Sequence, residues 1–172
     1  ILRQEEMLRG IVRVAPVGLG FIENRLMAWS NTTYCEMFGY TENEITGKSL
    51  SMFYATKEEY KSAVMEMSGQ ILEKGWASFE VKVVRKDGKA IDVHLNTVPF
   101  KKGKLDSGIV FAAMDITDRK QAEESLRQSE EKYRLLMENL SDSVWVLDLK
   151  TMSFVYNSPS SVNILGYTEE ES

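Results

Sequence analysis

One cysteine and one histidine leave this chain short of the side chains that most catalytic and metal chemistry requires. Cys35 alone cannot close an internal disulfide or anchor a cysteine-rich metal site, which fits a reducing, cytoplasmic compartment. Cys35 and His94 lie well apart, so no nucleophile and base pair is evident. Neither a glycine-rich phosphate loop nor a paired-histidine metal motif occurs. The carboxylates gather at glutamate-rich helix starts, where capping and solvation account for them, so the segment itself reads as regulatory and not as an enzyme. Positive charge is also short. A net charge of -5 argues against nucleic acid or an anionic membrane as the main partner, since both need a basic face. No stretch approaches the roughly 18 uninterrupted apolar residues of a spanning helix, and ILRQEEMLRG at the N-terminus is too polar for a secretory signal. No membrane contact is expected of this segment.

What is present is an ordinary globular composition, 43% hydrophobic and 27% charged over 172 residues, enough for a real core. The chain also repeats itself. Residues 38–44 read FGYTENE and residues 165–171 read LGYTEEE. Before each copy come two short hydrophobic runs, 18–22 and 26–30 in the first, 143–147 and 154–158 in the second. Upstream, LRQEEMLRGIVR at 2–13 matches LRQSEEKYRLLM at 126–137. The unit is a helix plus a domain, repeated, with the second domain present as its first third. The chain opens without Met and stops at TEEES as a helix would begin, so it reads as a piece of something longer.

Period and punctuation yield a coarse structure. The runs 18–22 and 26–30 predict strands joined by a turn over Glu23, Asn24 and Arg25. Thr41-Glu42-Asn43-Glu44 has the form of a capping box, repeated at Thr168 to Glu171. Over 57–72, Tyr60, Ala63, Val64, Met67 and Ile71 recur at three and four, an amphipathic helix with one buried stripe. From Trp76 the pattern turns to strand alternation through Phe79, Val81 and Val83. It resumes at Ile91, Val93, Leu95 and Thr97 after a Lys86-Asp87-Gly88-Lys89 turn. A second turn, KKGKLDSG, is expected before a last strand over 109–116. The result is an α+β fold: one five-stranded antiparallel sheet with helices across one face.

These residues resemble the PAS family of sensory modules. The resemblance rests on Asn31 with Gly39-Tyr40-Thr41, the Lys86-Asp87-Gly88 hairpin, and Asp115-Ile116-Thr117 before Arg119-Lys120, together covering 10–120 in the right order. It implies an N-terminal linker helix over 1–9, a PAS domain over 10–116, a connecting signalling helix over 117–140, and the start of a second PAS domain over 141–172. The second piece lacks the strands that would complete its sheet, so its open edges are expected to pair with another molecule. In this family a charged helix leaves the last strand and leads to the next module. Chemistry agrees: Thr117 is a suitable N-cap, Asp118 suits the helix dipole, and the Asp115 carboxylate is expected to reach Arg119 or Lys120. Ala122, Leu126, Ser129, Tyr133, Leu136 and Leu140 step by four and three, a coiled-coil seam roughly 36 Å long. Homodimerisation through this helix and PAS surfaces follows.

PAS relatives with haem take a histidine from the helix that here is 57–72, which has none. The adduct-forming flavin type needs a cysteine just after the Gly-Tyr helix, and 46–50 has none. Haem and adduct-forming flavin are therefore disfavoured, and the cofactor is otherwise unknown. Cys35 is expected to be a small buried hydrophobe. His94, opposite Ile91, Val93 and Leu95, is expected on the solvated face with Asp92 and Asn96. A small-molecule ligand would be lined by Phe38, Phe53, Tyr54, Met67, Trp76, Phe79 and Met114, with Asn31 either a polar contact or the cap of the next helix. The implied role is the sensory segment of a multidomain signalling protein, a histidine kinase first, with Asp115, Thr117 and Arg119 relaying strain from the last strand into the helix. A cyclic-dinucleotide synthase or phosphodiesterase output, or a ligand-free docking platform, are the alternatives.

Overall fold

The computed structural model describes residues 6, 7, 10, 12, 15–101, 104–139 and 144–158. It divides into two compact units, Ile1–Lys120 and Gln121–Ser172. The expected linker helix over 1–9 and the second Gly-Tyr-Thr copy fall largely or wholly outside the described residues, although Glu6 and Met7 are helical.

In the first unit, β1 (Gly18–Glu23) turns back into β2 (Leu26–Ser30). Asn24 and Arg25 carry the turn at φ 51° and 64°, the left-handed pair that a two-residue hairpin with right-handed twist demands. Asn31 then starts α1 (Thr32–Phe38), and Gly39 at φ 75° ends it. After α2 (Glu42–Ile45) and a 3₁₀ turn at Leu50–Phe53 comes α3 (Lys57–Lys74), opened by a capping box of Thr56 and Glu59 and closed by Gly75. At α2 the Glu44 carboxylate accepts the Thr41 N–H and hydroxyl, each at 3.0 Å. Three long strands follow, β3 (Ala77–Val84), β4 (Ala90–Lys101) and β5 (Lys104–Asp115), then α4 (Thr117–Asn139).

The sheet runs β2-β1-β5-β4-β3, antiparallel throughout. Gly18 and Gly20 of β1 leave room for aromatic rings. Tyr34 lies against the first, and a Cβ on Gly20 would collide with the Phe111 ring. Two apolar clusters result, one around Met27, Tyr34, Phe38, Phe53 and Phe111, the other around Ile71, Ala77 and Ile109.

Two expectations need correction. The stripe on α3 is narrower than its spacing implies: Ala63 and Ile71 are buried, while Val64 is exposed. The turn expected over KKGKLDSG is largely strand, because β4 continues to Lys101 and β5 begins at Lys104. Pro99 cannot donate to the ladder, and the register shifts between Pro99 and Lys101, so the bulge absorbs a residue that would otherwise have ended the strands.

The second unit contains β6 (Trp145–Asp148) and β7 (Ser153–Asn157), close to the expected runs. Their pairing repeats that of β1 and β2, including the position of the irregularity. Phe21↔Trp29 then Ile22↔Met27 in one hairpin matches Val146↔Tyr156 then Leu147↔Phe154 in the other. Asn31 and Ser158 close their hairpins alike. Asn31 N–H donates to the Leu19 carbonyl and its Oδ1 accepts the Leu19 N–H; Ser158 N–H donates to the Val144 carbonyl and its hydroxyl accepts the Val144 N–H.

Candidate functional site

The inner face of the sheet holds some of the predicted ligand-lining residues and excludes others. Phe38 and Phe53 are buried rings packed at 4.5 Å, with Tyr34 against both. Tyr54 is half-buried beside Tyr60, ring centroids 5.4 Å apart, and borders a surface groove of about 420 Å³ beside the 3₁₀ turn. Burial pushes the Tyr54 phenol up to about 12, and the Tyr34 phenol also rises well above its usual value, chiefly by burial. Both stay neutral at ordinary pH. Met67 and Phe79 belong to the second cluster. Trp76 and Met114 are instead 48% and 50% exposed. Met114 is on the outer face because Phe111 and Ala113 take the inner positions of β5, and Trp76 stands just before Ala77, whose side chain is the one turned inward.

Asn31 is 5% exposed and fully committed. Its Oδ1 accepts from Leu19 N–H and Tyr34 N–H, and its Nδ2 donates to the carbonyls of Val12 and Val17. It caps α1 and ties it to β1, which leaves no hydrogen-bonding capacity for a ligand. Sequence reasoning put Thr97 in the inward alternation of β4 without singling it out as a site residue. Its hydroxyl sits on the inner face between Ala77 and Phe111, 4% exposed and without a hydrogen-bond partner among the described residues. The alternation through Ile91, Val93 and Leu95 already placed it inside.

Cys35 is buried, its thiol 3.5 Å from the Ser30 hydroxyl. His94 is half-buried and not simply solvated: its Nε2 lies 2.8 Å from the Ser78 hydroxyl across the β3–β4 ladder. Among the described residues, no group of three His, Cys, Asp or Glu is placed to hold a metal ion, and no helix is long and apolar enough to cross a membrane.

The junction of β5 and α4 is more closely built. The Asp115 carboxylate accepts the Thr117 N–H at 2.9 Å, so Asp115 supplies the capping acceptor expected of Thr117. The Thr117 hydroxyl accepts the Asp92 N–H at 2.9 Å, and Ile116 N–H donates to the Asp92 carbonyl at 2.9 Å. Arg119 pairs with Glu80 at 3.0 Å, while Lys120 pairs with Glu80 at 2.7 Å and Asp92 at 3.3 Å. The basic pair thus reaches β3 and β4, not Asp115. The Lys120 ammonium beside it holds the Glu80 carboxyl below its usual range, and Glu80 in turn raises Lys120.

Sheet order, helical middle and a helix leaving the last strand form a recognisable architecture. A PAS domain family model matches residues 16–118. Sensor protein TdiS of Thauera aromatica is 28% identical over 128 residues, 74% of this chain; the chain spans 23% of that relative's length. The PAS domain of a Colwellia psychrerythraea protein superposes with a TM-score of 0.61 at 14% identity, over 67% of this chain and 98% of that one. A domain of a sensory box sensor histidine kinase/response regulator from Geobacter sulfurreducens gives 0.53 at 18%, over 65% and 94%. The fold, the span of the family match and the likeness to a sensor protein agree on a signal-sensing module, and the chain belongs to the PAS domain family.

Proposed function

We propose that this chain is a tandem sensory segment of a multidomain signalling protein, a histidine kinase, in which α4 pairs with its counterpart in a second copy and relays the state of the first PAS domain to the second. The observation that carries the reading is the exposed apolar stripe on α4: Leu126, Tyr133 and Leu136 are 61%, 63% and 50% exposed. A helix this polar is marginal alone in water and needs a partner. Its charged side is served internally, since Arg127 pairs with Glu124 at 2.8 Å and Glu131 at 3.4 Å, leaving the stripe for association. The shared hairpin register and the matching closures at Asn31 and Ser158 support a second PAS start after the helix.

The outer face of the sheet offers a second association surface. The Phe21 and Phe100 rings pack at a tilt with centroids 5.3 Å apart, Phe100 is itself exposed, and Trp29, Val98 and Val110 are exposed on the same face. Such a patch suits a protein partner. Native mass spectrometry tests the reading, with two chains per particle expected at tens of micromolar. A monomer overturns the pairing.

A further inference from the structure

The first turn of α4 is held both by β5 and by the β3–β4 hairpin. Strand β5 contributes the covalent link and one side-chain contact, Asp115 to Thr117 N–H. The β3–β4 hairpin contributes more: the Asp92 carbonyl to Ile116, the Asp92 N–H to the Thr117 hydroxyl, and the carboxylates of Glu80 and Asp92 to Arg119 and Lys120. Asp92 stands opposite Lys82 and Glu80 opposite His94, so the two carboxylates share the outer face and converge on Lys120.

The same hairpin is held at its other end. Lys86, in the turn between β3 and β4, donates its N–H to the Phe38 carbonyl at 3.0 Å, pairs its ammonium with Glu44 of α2, and lies 5.4 Å from the Tyr40 ring centroid. A ladder paired without a break from Ala77↔Thr97 to Val84↔Ala90 therefore joins the end of α1 and the start of α2 to the start of α4.

We infer that the β3–β4 hairpin is the lever that positions α4, carrying displacements of the α1–α2 segment from Lys86 to Glu80 and Asp92, with Lys120 the positioning residue that receives them. This rests on the reading of α4 as the output element and replaces Asp115 as its route. One exposed ion pair would carry little. Here two carboxylates, two cations and two hydrogen bonds to the Asp92 backbone act on the same turn, so the turn follows the hairpin as a body.

Hydrogen exchange on the full 172-residue chain tests it, read in peptides covering 116–122. Lys86→Ala should speed exchange there by at least about fivefold, the low end of measured coupling between sites. In an Arg119→Met, Lys120→Met double background, where both ion-pair arms of the lever are removed, the same Lys86→Ala change should add a markedly smaller increment, the non-additivity that a shared element produces. Lys86→Arg should restore slow exchange, and Glu44→Gln should repeat the Lys86→Ala effect by removing the charge from the other side. An equal increment in both backgrounds, or none in either, overturns the lever. The outcome is independent of oligomeric state: a monomer in native mass spectrometry removes the pairing of α4 and leaves this coupling intact, whereas additive exchange in a proven dimer removes only the lever.

Discussion

At the scale of single residues, two side chains carry sharp energetic consequences. The buried Thr97 hydroxyl has no hydrogen-bond partner among the described residues, and such an unpaired group carries a penalty of about 1–3 kcal/mol. Thr97→Val removes the hydroxyl at nearly constant shape, so the urea midpoint should rise by the equivalent of about 1 kcal/mol; a fall would mean that the hydroxyl holds a partner in solution. Glu44 answers to pH. Its hydrogen bond from Lys86, aided by those from Thr41, lowers its carboxyl from 4.5 to about 2. A depressed folded-state value means stabilisation that is fully present above the unfolded value and is lost as pH falls through the folded one. Midpoints should therefore decline between pH 4.5 and about 2, and Glu44→Gln should flatten that part of the profile. An unchanged slope in the variant would assign the acid limb to other carboxylates, of which Glu124, lowered to about 2 chiefly by Arg127, is one.

Elements differ in how openly the sequence announces them. Hairpins and helix starts are local: Asn24-Arg25 between apolar runs, Thr41 to Glu44, and Lys86-Asp87-Gly88 all form where their chemistry puts them. The β4–β5 turn was hidden because KKGKLDSG is rich in turn formers, whereas the bulge at Pro99 that keeps the strands paired depends on a partner strand. The site was partly legible for the same reason. Phe38 and Phe53 are buried as large aromatic side chains commonly are, but the placing of Met114 turns on which parity of β5 faces the helices, and that of Trp76 on where β3 begins. The route from Asp92 and Glu80 to Lys120 joins residues 28 and 40 positions apart, which no local pattern encodes. The β1–β2 turn carries a cost of its own, since Arg25 holds φ 64° with a full side chain. The left-handed conformation costs about 1–2 kcal/mol outside glycine. Glycine loses more freedom on folding, so Arg25→Gly should raise stability by about 0.5–1 kcal/mol in thermal or urea unfolding. No gain would mean that the Arg25 side chain earns its strain through contacts.

At the scale of the whole molecule, the apolar stripe of α4 is where sequence spacing and structural exposure coincide. The stripe Ala122, Leu126, Ser129, Tyr133 and Leu136 alternates steps of four and three, the spacing that keeps one seam facing a partner helix. Leu126, Tyr133 and Leu136 are exposed, so the apolar surface of that seam is available to a second chain. Ser129 interrupts the stripe at its centre with a hydroxyl, and in the proposed dimer such a gap would weaken the pairing. Ser129→Leu would bury one side chain from each copy, and full burial of a leucine is worth about 1.5–3 kcal/mol. Sedimentation equilibrium should then show the dimer dissociation constant falling by at least about tenfold, the equivalent of about 1.4 kcal/mol. Ser129→Asp should loosen the dimer, because it sets two like charges across the seam. If neither substitution moves the constant, the seam does not hold the dimer, and the exposed outer face of the sheet around Trp29, Val98 and Phe100 becomes the surface that does.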